Sequence, residues 1–275
     1  MDFTKMHGLG NDFILIDTFK YPFINELSNK ELSELSYRLC RRRFGIGADQ
    51  LLLLCPSEKA SFRMRIFNAD GSEVQMCGNG IRCLAKYIWD RGLSDSNPLV
   101  IDTLAGIIKP ERKDDLVRVN MGEPVFRPEE IPVKSDKVED LELSISEGVF
   151  KINCLSMGNP HAVILVDDVD KIAVSAIGPV IENHPLFPER TNVEFVQVIN
   201  RKEIKMRVWE RGAGETLSCG TGASASAVIT IKKGLTDNLV NVHLLGGDLI
   251  IEWESSKPVF MTGPAETVFE GTIDL

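Results

Sequence analysis

The feature that most constrains the fold of this chain is an internal repeat. The segment RMRIFNADGSEVQMCGNGIRCLA at 63–85 aligns without a gap with KMRVWERGAGETLSCGTGASASA at 205–227, at an offset of 142 residues. Both copies carry the pattern Glu-x-x-x-Cys-Gly-x-Gly after an alternating apolar segment. A repeat of this kind indicates one supersecondary unit that occurs twice. The repeat therefore predicts two similar halves.

Shorter matches extend the repeat beyond these two segments. The same offset carries Gln50 onto Asn192, and a slightly different offset carries Gly10-Asn11 onto Gly158-Asn159. The polar residues of one half thus recur in the other, which is expected if both halves contribute to one binding site.

Period-two alternation of apolar and polar residues predicts strands through much of the chain. It is clear at 62–66 and 204–208, where apolar residues alternate with arginine and lysine. Similar segments lie at 240–245, 248–253 and 259–262, with Gly246-Gly247 as a predicted hairpin turn between the first two. The charged segment 128–140 is predicted to be a solvated loop.

Helices are predicted at three places. Ser28 and Glu31 have the spacing of a capping box, and apolar residues then follow at helical spacing. A second helix is predicted to begin near Cys77 and to end at Gly92. A third begins near Cys219 and runs to Gly234; it is small or apolar on nearly all sides, so we expect it to be buried.

These elements predict an α+β fold of two pseudo-symmetric domains. Each domain would be a curved, mostly antiparallel, barrel-like sheet around a central helix, with the active site in the cleft between them. We expect residues 1–120 with 265–275 to form the half that carries Cys77, and 121–264 to form the half that carries Cys219. Residues 266–275 are predicted to return to the first half as a strand.

Composition excludes several classes of function. The net charge of -9 disfavours binding to nucleic acid or to an anionic membrane. Uninterrupted apolar runs stay far below the ~20 residues of a transmembrane helix, and the first residues do not resemble a signal peptide. We therefore expect a cytoplasmic protein with reduced cysteines. The spacing of the six cysteines matches no metal site, and no nucleotide-binding motif follows a strand.

The repeated cysteine occupies a position with reactive chemistry. Cys77 and Cys219 each precede Gly-x-Gly at a predicted helix start, where unpaired N–H groups and the helix dipole favour anions. We expect a lowered thiol pKa there, and the same N–H groups can bind a carboxylate. Two such sulfurs that face each other could remove a proton from one side of a carbon and deliver one to the other.

Three other interpretations remain open at this stage. Both cysteines could be core residues below a glycine-rich turn, as we predict for Cys40, Cys55, Cys83 and Cys154. The chain could be a two-base racemase that acts on proline or hydroxyproline. It could also be a thiol-based redox sensor without turnover, although no resolving cysteine lies close in sequence.

Seven motifs in order resemble those of the diaminopimelate epimerase family, and the resemblance covers essentially the whole chain. The motifs are MHGLGNDF (6–13), GADQ (47–50), FNADGSE (67–73), MCGNGIRC (76–83), MGNPHAV (157–163), ERTNVEF (189–195) and ERGAGETLSCGTGA (210–223). The resemblance implies an isomerase of lysine and peptidoglycan-precursor biosynthesis that interconverts LL- and meso-diaminopimelate. It implies no cofactor, neither pyridoxal phosphate nor a metal.

The resemblance also assigns site residues. Cys77 and Cys219 would be the two acid/base residues, and His161 and Glu210 would support the reacting centre. The substrate-binding residues would be Asn11, Gln50, Asn68, Gly78, Asn79, Asn159, Asn192, Glu210, Arg211, Gly220 and Thr221.

The resemblance finally implies a homodimer with a small amino-acid substrate and no nucleic acid or membrane partner. The family often has a tyrosine at the dimer contact near the C-terminus. The corresponding residue here is Phe269, which keeps the ring without the hydroxyl.

Overall fold

The structure, a computed structural model, describes residues 1–274. Leu275, the last residue of the strand predicted at 266–275, lies outside the described residues. The chain divides into two compact units. The first consists of Met1–Val119 and the chain from Gly263 onward, and the second is Asn120–Thr262.

The elements alternate between strands and a few helices. The strands of residues 1–274 are β1 (Asp2–Gly8), β2 (Asn11–Asp17), β3 (Gln50–Cys55), β4 (Phe62–Asn68), β5 (Glu73–Val74), β6 (Ile101–Thr103), β7 (Gly106–Ile108), β8 (Glu111–Lys113), β9 (Leu116–Asn120), β10 (Leu141–Ile145), β11 (Gly148–Ser156), β12 (Pro160–Leu165), β13 (Asn192–Asn200), β14 (Glu203–Glu210), β15 (Gly214–Glu215), β16 (Leu239–Leu244), β17 (Gly247–Glu252), β18 (Phe260–Gly263) and β19 (Glu266–Thr272). The α-helices of the same residues are α1 (Asn29–Cys40), α2 (Gly78–Asp90), α3 (Val174–Glu182) and α4 (Gly220–Lys232). Single 3₁₀ turns are at Pro22–Glu26, Pro128–Glu130 and Val169–Lys171.

The sheet of the first unit has the strand order β19-β1-β2-β3-β4-β6-β7, and β5 pairs with β4. The β2–β3 and β4–β6 pairs are parallel, whereas the other pairs are antiparallel. The returning strand β19 forms one end of this order, as the sequence predicted. Because the order has two ends, the sheet is open and is not a closed barrel.

The second unit repeats this pattern. Its strands lie in the order β10-β11-β12-β13-β14-β16-β17-β18, and β15 pairs with β14. The parallel pairs are β12–β13 and β14–β16, at the positions that β2–β3 and β4–β6 occupy in the first unit. The predicted α+β class with two related sheets and few helices is therefore confirmed.

The central helix of each unit begins where the sequence predicted. Cys77 is the N-cap of α2 and Cys219 is the N-cap of α4. Gly92 and Gly234 follow the helix ends with φ of 62° and 69°, a conformation in which glycine carries no Cβ penalty. Both helices are buried over most of their length, including the small-residue helix α4.

Outside the sheets, α1 and α3 differ in how they begin. Ser28 and Glu31 form the predicted capping box at α1. The sequence did not predict α3, which lacks a side-chain cap and contains Pro179. Helix α3 packs closely against Trp209 at Gly178. A Cβ at Gly178 would lie 2.5 Å from the Cβ and Cγ of Trp209, so only glycine allows this close contact.

Two local expectations were wrong. The hairpin turn between β16 and β17 is formed by Leu245 and Gly246, since Leu244 pairs with Gly247; the predicted turn lay one residue later. The segment 128–140 is not simply a solvated loop, because Ile131 and Val133 are buried in the core of the second unit. The sequence did not reveal this burial, because two apolar residues within a charged segment are too few to show a helical or strand periodicity.

Candidate functional site

The two repeated cysteines have nearly the same local geometry. Cys77 has φ and ψ of -138° and 120°, and Cys219 has -129° and 111°. Each sulfur accepts a hydrogen bond from the third helical N–H, from Gly80 and Gly222 respectively, at 3.4 Å. Both thiols thus take the position that serine or aspartate commonly occupies at a helix start.

In the first unit, the Cys77 sulfur lies against an amide oxygen. Its thiol donates to Asn11 Oδ1 at 3.6 Å, and Asn79 Nδ2 donates to the same oxygen at 3.2 Å. The amide nitrogen of Asn11 donates to Asp49 Oδ2 at 3.0 Å. Asp49 in turn pairs with Arg42 at 2.7 Å. The carboxylate therefore fixes which end of the Asn11 amide faces the sulfur.

Two further predicted residues lie side by side on adjacent strands of this unit. Gln50 pairs with Asn68 in the β3–β4 register, and Gln50 Nε2 donates to Asn68 Oδ1 at 2.8 Å. Asn68 Nδ2 donates to Ser72. Gln50 Oε1 is buried and has no hydrogen-bond partner among residues 1–274. A buried amide oxygen without a partner is available to a ligand donor.

In the second unit, the sulfur lies against a hydroxyl. Cys219 Sγ is 3.5 Å from Thr221 Oγ1, and Thr221 Oγ1 accepts from Asn159 Nδ2 at 3.3 Å. The Thr221 proton therefore remains available to donate to the sulfur. Asn159 presents its nitrogen to the helix start, whereas Asn11 presents its oxygen.

His161 connects Asn159 to a carboxylate inside the second unit. His161 Nε2 lies 2.9 Å from Asn159 Oδ1, and His161 Nδ1 lies 2.7 Å from Glu194 Oε1. Both His161 and Glu194 are completely buried. Both ring nitrogens of His161 thus face oxygen atoms of neighbouring side chains, which joins Asn159 to the Glu194 carboxylate.

Three more predicted residues lie at the ends of β13 and β14. Thr216 donates to the Glu210 carboxylate, and Asn192 Oδ1 accepts from the backbone N–H of Arg211 at 2.9 Å. Asn192 Nδ2 donates to the Pro160 carbonyl. Burial raises the pKa of Glu210, and hydrogen bonds from Thr216 and Cys219 oppose this.

The expected lowering of the thiol pKa is wrong for Cys219. Burial raises the pKa of this thiol well above its usual value, and the carboxylates of Glu210 and Glu194 raise it further. Hydrogen bonds from Thr221 and from the Gly222 N–H lower it by less. The helix start is therefore outweighed by desolvation and two nearby carboxylates. The raised pKa favours the thiol form of Cys219, which can donate a proton.

The four remaining cysteines are core residues, as predicted. Cys40, Cys55, Cys83 and Cys154 are each at most 5% exposed. Burial raises the pKa of Cys40 to about 11, and of Cys83 and Cys154 to about 12. They are therefore poor nucleophiles and poor bases.

The sequence match to a known family covers most of the chain. A sequence profile named diaminopimelate epimerase matches residues 3–127 and 153–268. The chain belongs to the diaminopimelate epimerase family. Curated diaminopimelate epimerases are similar along their whole length. The protein of Acetivibrio thermocellus is 53% identical, covering 100% of this chain and 99% of the relative, and that of Halothermothrix orenii is 54% identical, covering 99% and 98%.

Solved structures share the fold of this diaminopimelate epimerase family member at low identity. A PhzF-family phenazine biosynthesis protein of Bacillus anthracis has a TM-score of 0.72 at 17% identity, covering 100% of this chain and 99% of that one. A hydroxyproline epimerase of Agrobacterium vitis has a TM-score of 0.70 at 16% identity, covering 98% and 91%. At this identity the likeness concerns the fold alone.

Sequence reasoning missed two carboxylates of this diaminopimelate epimerase family member. Asp49 lies in the motif GADQ and Glu194 in ERTNVEF, but neither received a role. Glu194 stands between Val193 and Phe195 in a strand, and a charged residue within an apolar strand is a signal of a buried functional group. Among residues 1–274, no cluster of three or more His, Cys, Asp or Glu is placed to hold a metal ion. No helix of the same residues is long and apolar enough to span a membrane.

Proposed function

We propose that this chain is a diaminopimelate epimerase that interconverts LL- and meso-2,6-diaminopimelate through proton transfer by Cys77 and Cys219. The single observation that carries the proposal is that both cysteines are N-caps of a buried central helix in matching units. Family membership and full-length relatives at about half identity support the substrate.

The two sulfurs act on opposite faces of one carbon in this proposal. One thiolate removes the proton from the carbon next to the carboxylate, which leaves a carbanion. The other thiol delivers its proton to the opposite face, and the two sulfurs exchange protonation states. The reverse reaction uses the same groups with their roles exchanged, so each cysteine serves as base in one direction and as acid in the other.

The start of each central helix stabilises the carbanion. Charge that develops on the carbon spreads into the adjacent carboxylate, and N–H donors aimed at that carboxylate bind it more strongly in the transition state. The N–H groups at the start of α2 and α4 have no intrahelical acceptor. We assign this role to Gly78, Asn79, Gly220 and Thr221, with His161 and Glu210 as polar support of the reacting centre.

The remaining assigned residues hold the polar groups of the substrate. They supply amide, carboxylate and guanidinium groups from both units, and they are Asn11, Gln50, Asn68, Asn159, Asn192, Glu210 and Arg211. We propose that the half formed by 1–120 with 265–275 and the half formed by 121–264 close on one substrate molecule, so that each contributes one sulfur.

The proposed chemistry needs neither a metal nor an organic cofactor, because the two thiols carry both protons. We expect activity to survive chelators and reagents that trap pyridoxal phosphate. Loss of activity on chelation that is restored by a divalent metal would contradict this.

We also propose a cytoplasmic homodimer. Strand β19 exposes Val268 and Phe269 at 54% and 47%. Among residues 1–274 it lies at the end of its sheet, so one strand edge with apolar side chains is left unpaired there. Phe269 also packs edge-on against Phe3, with ring centroids 5.8 Å apart. Analytical ultracentrifugation of the wild type and of Phe269→Glu tests this, with a shift to monomer expected in the variant.

Incubation with LL-diaminopimelate in deuterated water tests the function. We expect conversion to the meso form with deuterium at the inverted carbon. Proline and hydroxyproline in parallel reactions test the alternative substrates of fold relatives. Inversion of these alone would overturn the substrate assignment, and unchanged stereochemistry with every substrate would overturn the enzyme assignment.

A further inference from the structure

Glu194 is a buried carboxylate without an assigned role. It lies in β13, is completely buried, and uses only Oε1 to contact His161. Its second oxygen, Oε2, is buried without a hydrogen-bond partner among residues 1–274. A buried, half-satisfied carboxylate costs stability, so its presence calls for a reason beyond packing.

A continuous series of polar contacts runs from Glu194 to the Cys219 sulfur. Glu194 contacts His161 at 2.7 Å, and His161 contacts Asn159 at 2.9 Å. Asn159 donates to Thr221 at 3.3 Å, and Thr221 lies 3.5 Å from the sulfur. These four contacts connect the Glu194 carboxylate to the Cys219 sulfur, so displacement of one partner changes the position of the next.

Glu194 also lies close to Cys219 through space. The position that a Cβ on Gly222 would take is 2.8 Å from Glu194 Oε1 and 3.3 Å from Cys219 Sγ. The glycine thus lets the carboxylate and the sulfur approach the same point. The Glu194 charge accordingly contributes to the raised pKa of the Cys219 thiol, since a buried charge acts strongly on a nearby titrating group.

We propose that Glu194 is a positioning residue for Cys219, which it controls through His161, Asn159 and Thr221 and through its own charge. This inference rests on the proposed function, since Cys219 is taken as one of the two acid/base residues. The charged groups that face Cys219 are Glu194 from β13 and Glu210 at the end of β14, with His161 of β12 between Glu194 and Asn159. Removal of the Glu194 charge should therefore favour the thiolate of Cys219.

Two measurements on Glu194→Gln test the proposal. The variant keeps the shape of the side chain and an oxygen for His161, but loses the charge. Peptide mass spectrometry measures the rate of Cys219 alkylation by iodoacetamide as a function of pH. We expect the midpoint of this pH profile to lie about one pH unit lower in the variant than in the wild type. We expect the limb of the kcat/KM profile that belongs to Cys219 to move in the same direction.

The matched control is Glu182→Gln. Glu182 is also a buried carboxylate of the second unit, but it bonds to Trp209, Arg190 and Gly212 and to none of the residues in the series. We expect it to lose stability without a shift in the alkylation profile. An equal shift in both variants would show a general effect of lost charge and would overturn the proposal.

A variant at the other end of the series covers the case in which Glu194→Gln does not fold. Thr221→Val removes the hydroxyl that contacts the sulfur, and its alkylation profile should move toward higher pH because one donor to the thiolate is lost. If both variants fold, the double variant should deviate from additivity, since the two residues act through one series. Strictly additive shifts, or an unchanged profile in Thr221→Val, would overturn the proposal.

Alkylation of Cys219 does not require turnover. The role of Glu194 and the epimerase function can therefore be tested independently of each other. A wild type without epimerase activity on any substrate refutes the function. An unchanged alkylation profile in Glu194→Gln refutes the role of Glu194 whether or not the enzyme is active.

Discussion

The two helix starts that carry Cys77 and Cys219 share their backbone geometry but differ in the polar groups that support them. Asn11 and Asn159 are the repeated residues, yet Asn11 turns its oxygen toward Cys77 while Asn159 turns its nitrogen toward Thr221. Asp49 holds Asn11 by its nitrogen, and His161 holds Asn159 by its oxygen. The repeat therefore preserves the position of the sulfur, and the partners outside the repeat give each sulfur a different hydrogen-bond environment.

The largest expected effect comes from the cysteines themselves. We expect Cys77→Ala and Cys219→Ala each to abolish epimerisation, with a loss of at least about 10³-fold in kcat, because each face of the carbon needs its own proton carrier. Chiral chromatography of the products measures this. Each variant should still exchange the proton on the face that its remaining cysteine serves, which deuterium incorporation detects.

Cys→Ser at the same positions is the control for shape. We expect it to be almost as poor as Cys→Ala, because a hydroxyl with a much higher pKa is a weak base. Near-normal turnover in either alanine variant would refute the two-base mechanism. The similarity of the two cysteine sites would then concern structure and not catalysis.

The helices α1 and α3 also differ in what holds them in place, and this difference can be tested by measuring protein stability. Gly178→Ala should destabilise the protein by about 1–3 kcal/mol, because the new Cβ would overlap Trp209. The urea-denaturation midpoint measures this. Ser175→Ala, an exposed change on the same helix, is the control and should leave the midpoint nearly unchanged. Equal midpoints for both variants would show that α3 is not held by this contact.

Asp49 tests the difference in amide orientation directly. We expect Asp49→Ala to lower kcat/KM about 10-fold, because Asn11 loses the acceptor that keeps its oxygen on Cys77. Asp49→Asn retains an acceptor oxygen and should recover part of the loss. Steady-state kinetics with LL-diaminopimelate measures both.

Arg42→Gln is the control for this variant, since it removes the Asp49 ion pair but leaves the contact with Asn11. The effect should also be confined to one half. Asp49→Ala should slow deuterium exchange when combined with Cys219→Ala, where only Cys77 remains, and should leave exchange unchanged when combined with Cys77→Ala. Equal slowing in both backgrounds would contradict the role of Asp49.

The smallest expected effect is at the start of α1. Ser28→Ala should cost about 1 kcal/mol, because the capping box with Glu31 loses its hydroxyl. Urea denaturation measures the cost, and Glu34→Ala, exposed on the same helix, is the control. A cost no larger than that of the control would show that α1, like α3, is held by packing and not by its cap.

Much of the fold could be predicted from the sequence because the repeat and the helix starts are local signals. The helix starts at Cys77 and Cys219, the glycines that follow the helix ends and the capping box of Ser28 all lie within a few residues of the feature they define. The α3 helix could not be predicted in this way, since its position depends on contact between Gly178 and Trp209, which are far apart in sequence.

In the candidate site too, some features follow from local sequence and others from residues that are distant in sequence. The repeat identified Cys77 and Cys219, but alignment of Asn11 with Asn159 predicts equal orientations for two amides that are opposite in the structure. Asn11 is oriented by Asp49, which is 38 residues away in sequence. Asn159 is oriented by the neighbouring His161, but the other ring nitrogen of His161 contacts Glu194, which is 33 residues away. The raised pKa of Cys219 likewise follows from burial and from Glu210 and Glu194, which no local pattern links to the helix start.

The return of β19 to the first sheet has a consequence for synthesis on the ribosome. Strand β1 pairs with β2 on one side and with β19 on the other. The second unit is one continuous segment and can fold as soon as it has emerged, whereas the first unit waits for a strand that is translated after all of the second. During that interval the outer edge of β1 is unpaired and open to association with other nascent chains. A premature stop codon after the second unit would therefore damage the first.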